Sequence, residues 1–223
     1  MKRRAQDGPG RAPRPAQGQV RVIAGRWRGT RLPVPGIEGL RPTPDRVRET
    51  LFNWLAPVLP GSRVLDLFAG SGALGLEAVS RGAAGAVLVE RDPGVAAGLR
   101  ALAGRLQGGE GVEVVQADAL HWLERGGARF DIAFVDPPFA SGLLQPALAA
   151  LLPRMAPDGW IYIEGPPEAT PRLPPQYRLH REGRTRDTRY ALHRCDGTGA
   201  KLEAPVATLP AGPDTPPAAD TET

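Results

Sequence analysis

The sequence alternates between short apolar segments and longer amphipathic segments, and this alternation constrains the fold more than any other feature. The apolar segments predict strands over residues 63–67, 86–90, 112–116, 131–135 and 160–164. The intervening segments predict helices over residues 73–81, 93–106, 121–124 and 142–152. Repeated strand–helix units form parallel sheets with helices on both faces, and their ligands bind at the carboxyl ends of the strands.

The two ends of this region depart from the alternation. Only residues 183–188 separate the apolar segments 177–182 and 189–194, too few for a crossover helix, so these segments predict an antiparallel hairpin. Near the front, residues 20–24 predict a strand of a small hairpin. Thr43-Pro44-Asp45 predicts a helix from residue 44 to about residue 56, with the Thr43 hydroxyl as its cap and Arg46, Arg48 and Glu49 more exposed.

The expected fold is therefore α/β, with a seven-stranded, mostly parallel sheet, an antiparallel C-terminal hairpin and a small N-terminal hairpin extension. A chain of 223 residues has room for one such domain with flexible ends. We expect a disordered basic arm over residues 1–18 and a hairpin and helix over residues 19–60. The catalytic domain would cover residues 61–195, and a disordered Pro/Thr-rich tail would cover residues 196–223.

Cysteine, histidine and hydropathy limit the class of protein. Cys195 is the only cysteine, so a disulfide framework and a cysteine zinc site are excluded, and the three histidines lack the spacing of metal ligands. We expect no metal. The sequence has no apolar stretch of transmembrane length and no apolar signal core at its start. We expect a soluble cytoplasmic monomer without a membrane partner; an organellar transit peptide is the alternative interpretation of the basic start.

Positive charge is concentrated at the front of the chain. Over residues 1–31, nine Lys and Arg side chains face a single acid, Asp7, although the net charge of the whole chain is only +4. This asymmetry favours a polyanionic partner, and a solvated arm is the alternative. Trp27 lies between Arg26 and Arg28, an arrangement that suits nucleic acid. The alternative is a hairpin in which Trp27 packs inward while the arginines remain outside.

The tetrapeptide Asp136-Pro137-Pro138-Phe139 follows the predicted strand 131–135. Because neither proline has an N–H to donate, the strand must stop there. The resulting turn presents a carboxylate, a backbone carbonyl and an aromatic face, which suit a planar amine as two acceptors and a stacking surface. A plain strand end with a buried Phe is the alternative.

Other candidate binding residues follow the preceding strands. Gly70, Gly72 and Gly75 form a turn between a buried strand and a helix, a pattern that serves any ligand approaching the backbone closely. Glu90 ends the second strand and is suited to ribose hydroxyls in an NAD site as well as in other nucleoside sites. Asp118 follows the third strand, where it is suited to an adenine amino group.

The order of these motifs over residues 41–194 resembles the class I S-adenosylmethionine-dependent methyltransferases. Within that class, residues 21–29, residues 41–55 and the tetrapeptide at 136–139 look like the bacterial RsmD family. That family methylates the exocyclic N2 of a guanine in small-subunit ribosomal RNA, guanine 966 of the 16S molecule. The family pattern does not explain the long Pro/Gly/Arg front or the Pro/Thr tail.

The resemblance implies roles for individual residues. Thr43 would meet the methionine carboxylate of S-adenosylmethionine, Glu90 the ribose, and Asp118 with Ala119 the adenine. The methionine part would be lined by Asp66 and the glycine turn: Phe68, Ala69, Gly70, Ser71 and Gly72. The implied partner is ribosomal RNA, either naked or in an assembling small subunit.

At the acceptor side, we expect Asp136, Pro137 and Phe139 to be catalytic and the neighbouring Pro138 to contact the substrate. The other expected substrate contacts come from the basic front: Arg21, Arg26, Trp27, Arg28, Arg31, Arg41 and Arg46.

Three other functions remain open from the residues. DNA adenine-N6 or cytosine-N4 methyltransferases use the same tetrapeptide chemistry but usually need a further recognition domain. Glutamine-N5 protein methyltransferases resemble it with Asn at position 136. A non-catalytic RNA-binding domain would leave residues 136–139 without a role.

Overall fold

The computed structural model describes residues 20–32 and 43–196. The predicted basic arm, almost all of the predicted tail, and Arg41 lie outside the described residues.

Within these ranges the chain forms nine strands and five α-helices. The strands are β1 (Val20–Arg21), β2 (Arg31–Leu32), β3 (Arg63–Asp66), β4 (Gly85–Glu90), β5 (Val112–Gln116), β6 (Phe130–Val135), β7 (Met155–Gly165), β8 (Tyr177–Arg184) and β9 (Arg189–Cys195). The helices are α1 (Asp45–Leu55), α2 (Ala73–Ser80), α3 (Pro93–Ala103), α4 (Ala119–Glu124) and α5 (Leu144–Leu151).

Seven of the strands form one sheet in the order β5-β4-β3-β6-β7-β9-β8. The first five in this order are parallel, while β9 runs antiparallel to both β7 and β8. The predicted seven-stranded sheet with its C-terminal hairpin is thus confirmed. The chain proceeds from β3 outward to β5 and then returns to the other side of β3 as β6. At such a reversal the connections that leave neighbouring strand ends diverge and leave a crevice.

The two faces of the sheet bury separate apolar layers. Val64 and Ile132 belong to the layer that packs against α1, α2 and α3, whereas Leu65 and Ala133 belong to the layer that packs against α4 and α5. Successive residues of a strand point to opposite faces, so a continuous apolar run is required where both faces are covered. The expectation of helices on both faces is confirmed.

The small N-terminal hairpin is fastened to α2. The carboxylate of Glu77 accepts the backbone N–H groups of Ile23 and Ala24 at 2.6 and 2.9 Å, and the Ser80 hydroxyl accepts the N–H of Trp27 at 2.9 Å. Because α2 begins at the carboxyl end of β3, its last residues lie toward the amino edge of the sheet. The tip of the hairpin therefore lies at the edge opposite the crevice. The paired strands span two residues each, shorter than the predicted 20–24.

The start of α1 corrects two predictions. Pro44 is the N-cap of the helix and makes no side-chain cap bond, so the expectation that the Thr43 hydroxyl caps it is wrong. Arg48 was expected to be more exposed, but it is completely buried. Its guanidinium donates to the Arg21 carbonyl at 2.9 Å and to Asp45 at 2.5 Å, and it lies 3.9 Å from the buried carboxylate of Glu77. Burial of Arg48 is possible because these oxygens compensate its charge.

Candidate active site

A cleft opens at the carboxyl ends of β3 and β6, the place where the chain reverses direction across the sheet. Its volume is about 470 Å³, within the usual range for small-molecule sites. It is lined by Pro44, Phe68, Ala69, Gly70, Ser71, Asp136, Pro137, Pro138, Phe139, Glu164, Thr185, Arg186, Asp187 and Thr188. The predicted amine-binding turn and the predicted glycine turn therefore share one cleft.

The glycine turn brings the backbone close to the cleft. Gly72 precedes α2 with a φ of 73°, and a Cβ at this position would lie 2.8 Å from a methyl group of Leu99. Only glycine suits both the left-handed conformation and the confined space. The buried carboxylate of Asp66 accepts the N–H of Gly75 at 2.9 Å, which holds β3 against the start of α2. The first N–H groups of a helix have no intrahelical acceptor and are available to a ligand.

Glu90 is the last residue of β4, and Asp118 lies two residues after β5. Both oxygens of Glu90 accept backbone N–H groups, from Gly70 at 2.9 Å and from Asp92 at 2.7 Å, so this carboxylate fixes the glycine turn to the end of β4. One oxygen of Asp118 caps α4 by accepting from Leu120 and His121. Each carboxylate retains acceptor capacity for a ligand, since an ionised carboxyl has about four lone-pair sites. The cleft wall does not include either residue.

The turn at residues 136–139 directs the Asp136 carboxylate and the Phe139 ring to the wall of the cleft. Asp136 follows β6, with one carboxylate oxygen 3.5 Å from the Thr43 hydroxyl. Pro137 is buried, while Phe139 is 49% exposed and forms part of the cleft wall. The Phe is therefore not the buried side chain of a plain strand end. It is one of two large exposed apolar side chains among the described residues.

Glu164 and Tyr162 belong to the site but were not predicted from the sequence. Glu164 is 4% exposed and lines the same cleft near the end of β7. Its Oε2 accepts hydrogen bonds from the Thr43 hydroxyl at 3.0 Å and from the Tyr162 hydroxyl at 2.8 Å. An acid at the end of a parallel strand was the signal that identified Glu90, and the same signal was present at Glu164.

Three carboxyl groups around the cleft have raised pKa values, because they are buried and because some of them lie close to other carboxyl groups. Burial raises the pKa of Asp66 to about 7, with a further increase from Glu90. Burial, Glu164 and Asp66 together hold the pKa of Asp136 well above its usual value. Burial also raises the pKa of Glu164, but the hydroxyls of Tyr162 and Thr43 oppose this shift by donating to it. The cleft is thus suited to a cationic ligand.

The hairpin between β8 and β9 also reaches the cleft. Its turn, residues 185–188, forms part of the cleft wall, and Arg184 and Arg186 in and beside the turn are exposed. Across the described residues 20–32 and 43–196, neither guanidinium has an ion-pair partner. These arginines were not among the predicted substrate contacts, because the prediction was based on the excess of positive charge near the start of the chain.

The structure separates the predicted basic contacts. Trp27 is 5% exposed and donates its indole N–H to the Gln107 carbonyl at 2.9 Å, so the expectation that its ring contacts the substrate is wrong. Arg26 stacks on Trp27 and donates to the Gly108 carbonyl in the connection leading to β5. This position is at the amino edge of the sheet, away from the cleft. The remaining described arginines of the set are exposed: Arg21, Arg28, Arg31 and Arg46.

Among residues 20–32 and 43–196, no helix is long and apolar enough to cross a membrane. The same residues contain no group of three or more His, Cys, Asp or Glu side chains placed to hold a metal ion.

The sheet order, the glycine turn and the acids at successive strand ends define a Rossmann-like class I methyltransferase fold. A solved RNA methyltransferase from Salinibacter ruber in complex with S-adenosyl-L-homocysteine has this fold, with a TM-score of 0.56 at 15% identity over 72% of this chain and 97% of that chain. Residues 20–194 match the family described as Conserved hypothetical protein 95, the RsmD family. The chain belongs to this family.

Relatives agree with this assignment along most of the chain. Ribosomal RNA small subunit methyltransferase D of Escherichia coli is 47% identical over 82% of this chain and 93% of its own length. The protein of the same name from Haemophilus influenzae is 41% identical over 80% of this chain and 95% of its own length. The solved structure of yhhF from Escherichia coli matches 80% of this chain and 99% of that chain, with 48% identity and a TM-score of 0.72.

Proposed function

We propose that this protein transfers a methyl group from S-adenosylmethionine to the exocyclic N2 amine of a guanine in 16S ribosomal RNA. The observation that carries the proposal is the presence of the Asp136–Pro137 acceptor pair and the glycine turn in one cleft. The relatives named as small-subunit ribosomal RNA methyltransferases support the substrate class. The choice of guanine N2, and of guanine 966 as the family target, rests on the resemblance to the RsmD family.

The residues around the cleft fit S-adenosylmethionine. This cofactor carries a positive sulfonium, and the buried carboxyl group of Asp66, which is bonded to the start of α2, would offer it a negative environment. The glycine turn would hold its methionine part, with the Thr43 hydroxyl nearby. Glu90 would hold the ribose, and Asp118 with the N–H of Ala119 would hold the adenine. The neighbouring order of β3, β4 and β5 supports this assignment, because the methionine, ribose and adenine parts of the cofactor are linked in the same order.

The acceptor pair addresses the main difficulty of the reaction. The lone pair of a guanine amine is delocalised into the ring, which makes the amine a weak nucleophile. S-adenosylmethionine would supply an electrophilic methyl group, and when its S–C bond breaks the leaving group is a neutral thioether. If Asp136 and the Pro137 carbonyl each accept one N–H, they hold the nitrogen with its lone pair out of the ring plane. The lone pair forms the new N–C bond, and the surplus proton passes to Asp136 or to water.

Positioning contributes more than proton removal in this mechanism. Fixing two reactants in a productive orientation lowers a barrier by about 7–11 kcal/mol, whereas general-base catalysis accelerates a reaction by about 10²–10⁴-fold, or roughly 3–5 kcal/mol. Phe139 would stack on the target base and contribute about 1–3 kcal/mol. This is comparable to the few kcal/mol needed to flip a base, so a loop or single strand is the favoured target.

Arginines near the cleft would hold the RNA backbone. Arg184 and Arg186 flank the cleft, and we assign them the phosphates closest to the target base. Arg21, Arg31 and Arg46 would contact more distant phosphates. Binding that rests on such contacts weakens steeply as the salt concentration rises.

A methyl-transfer assay tests the proposal. The full chain is incubated with S-adenosylmethionine labelled in its methyl group and one of four acceptors lacking prior modification: small ribosomal subunits, naked 16S RNA, duplex DNA or a glutamine-containing protein substrate. Label is expected in ribosomal RNA, either in the subunit or in the naked molecule. Label confined to DNA or protein, or no label in RNA from a folded enzyme, contradicts the proposal.

A further inference from the structure

Glu164 is a buried carboxylate in the cleft that no step of the reaction above requires. It is 4% exposed, and it lines both the main cleft and a smaller adjoining cavity behind Pro137, Pro138 and Phe139. Burying a carboxyl group is costly unless hydrogen bonds compensate it. Its position beside the amine-binding turn suits it to contact the target base.

The hydrogen bonds of Glu164 leave one oxygen available. The hydroxyls of Thr43 and Tyr162 both donate to Oε2, and Oε1 accepts no hydrogen bond from residues 20–32 or 43–196. Thr43 also contacts Asp136, so oxygens of the two carboxyl groups lie within two hydrogen-bond lengths of each other. A group bound to Asp136 and a group bound to Glu164 can thus belong to adjacent atoms of one base.

The chemistry of the bases makes this arrangement selective. In guanine the exocyclic N2 amine is next to N1–H, a second donor. In adenine and cytosine the ring nitrogen next to the exocyclic amine carries a lone pair and no hydrogen. A carboxylate facing that position would accept a hydrogen bond from guanine and would repel the lone pair of the other two bases.

The two hydroxyl donors to Glu164 favour its ionised, acceptor form, against the effect of burial. Burial raises its pKa, and the hydroxyls of Tyr162 and Thr43 counteract that shift because they bind the ionised carboxylate. The pKa of Tyr162 is itself held well above its usual value, mainly by burial, so its hydroxyl remains a donor. Asp136 lacks the Tyr162 bond, and Glu164 raises its pKa. The Thr43 and Tyr162 hydroxyls therefore make Glu164 suited to accept a further hydrogen bond through Oε1.

We propose that Glu164 selects guanine by accepting its N1–H through Oε1 while Asp136 and Pro137 hold the N2 amine. This specificity role rests on the proposed RNA methyltransferase function and adds the residue that distinguishes guanine from adenine and cytosine. The Asp136–Pro137 acceptor pair alone suits any exocyclic amine, so a contact between Glu164 and N1–H would supply the preference for guanine.

The test uses 2-aminopurine, which has the same exocyclic 2-amine but lacks the N1 hydrogen and the 6-oxygen, so the change in preference on replacing Glu164 reports the N1 contact. Small subunits are reconstituted from 16S RNA with either guanine or 2-aminopurine at the methylated position, and kcat/KM is measured for each. The wild-type enzyme should prefer guanine by about 5- to 150-fold, the range for one specific base contact. In Glu164→Gln the amide oxygen should take the Oε2 position that accepts from Thr43 and Tyr162, which leaves the NH2 group facing N1–H. This variant should therefore lose activity on guanine and reduce the preference at least fivefold.

Tyr162→Phe is the matched control. It removes one donor to the same carboxylate and keeps the buried ring, so it should lower activity on both substrates and leave their ratio within about twofold. Thermal unfolding and S-adenosylmethionine binding establish that each variant is folded.

The outcomes separate this inference from the proposed function. If wild-type enzyme methylates guanine but Glu164→Gln loses the same factor on both substrates, Glu164 only supports the site and the specificity role is wrong. If Tyr162→Phe changes the ratio as much as Glu164→Gln, the role is likewise wrong. If wild-type enzyme labels no guanine in RNA, the proposed function itself fails.

Discussion

Replacing Asp136 should abolish most methyl transfer while leaving the cofactor bound and the protein more stable. Asp136→Ala removes one of the two proposed amine acceptors, and Asp136→Asn keeps the shape of the side chain with a single neutral acceptor oxygen. Because the proposed reaction assigns Asp136 to the amine and not to the cofactor, the dissociation constant for S-adenosylmethionine should change by less than about threefold in either variant.

The size of the effect follows from the hydrogen bond and the proton acceptor that each substitution removes. A hydrogen bond to a charged group is worth about 1.5–3 kcal/mol, and proton transfer to a positioned base contributes about 10²–10⁴-fold. We therefore expect Asp136→Ala to lower kcat by at least about 10³-fold. Asp136→Asn should lower it by about 10²-fold because its amide oxygen can still accept one N–H.

Stability provides an internal control for folding. The folded-state pKa of Asp136 is held above its usual value by burial and by the neighbouring acids, so ionising it opposes folding as pH rises. Asp136→Asn removes this cost, and its midpoint of thermal unfolding at pH 8 should exceed that of the wild type. Single-turnover methyl transfer and cofactor titration complete the assay. A kcat within fivefold of wild type, or equal losses in catalysis and cofactor binding, would refute the assigned role.

Three further predictions concern other charged groups of the molecule. Burial raises the pKa of Asp66 from 3.8 to about 7, so the cofactor-free protein should lose up to about 4 kcal/mol of stability from this group as pH rises from 4 to 7. Asp66→Asn should remove this part of the pH dependence of the free energy of unfolding measured in urea, and an unchanged pH dependence would contradict the prediction. The double replacement of Arg184 and Arg186 by Ala should reduce the steepness of the plot of log binding constant for 16S RNA against log salt concentration by about 1.4–1.8, whereas Arg28→Ala should change it by less than about 0.5. Equal slopes for the double variant and the wild type would show that the turn does not hold phosphates. Glu77→Gln should cost about 3–5 kcal/mol in the free energy of unfolding because it breaks a buried ion-pair network, and a loss below about 1 kcal/mol would count against that network.

The central parallel strands could be predicted from sequence because both of their faces are buried, as in β3 and β6, and the apolar runs are unambiguous. The predicted edge strand over residues 112–116 also matches β5 at both ends, although it carries exposed polar residues. Boundaries shifted elsewhere for local reasons. The last parallel strand begins at Met155, five residues earlier than predicted, because Pro157 and Asp158 interrupt the apolar pattern without ending the strand.

Side-chain partners were harder to predict than strands. Arg48 looks like a surface residue because it is charged, and its burial depends partly on the Arg21 carbonyl and Glu77, which are distant in sequence and offer no local signal. Trp27 between two arginines suggested a nucleic-acid contact, but the acceptor for its indole lies at Gln107 in another part of the chain. Thr43 has the sequence of a helix cap and bonds instead to acids from β6 and β7. These contacts are set by the tertiary structure.

Identifying the nucleoside that the enzyme makes is the sharpest test of the proposed reaction. Unmodified small subunits are methylated with the full chain, and the RNA is digested to nucleosides and analysed by mass spectrometry beside a reaction with Asp136→Ala. We expect N2-methylguanosine at a single position with wild-type enzyme and at least about 10³-fold less with the variant. Formation of N6-methyladenosine or N4-methylcytosine, or equal methylation by the variant, would contradict the proposed reaction.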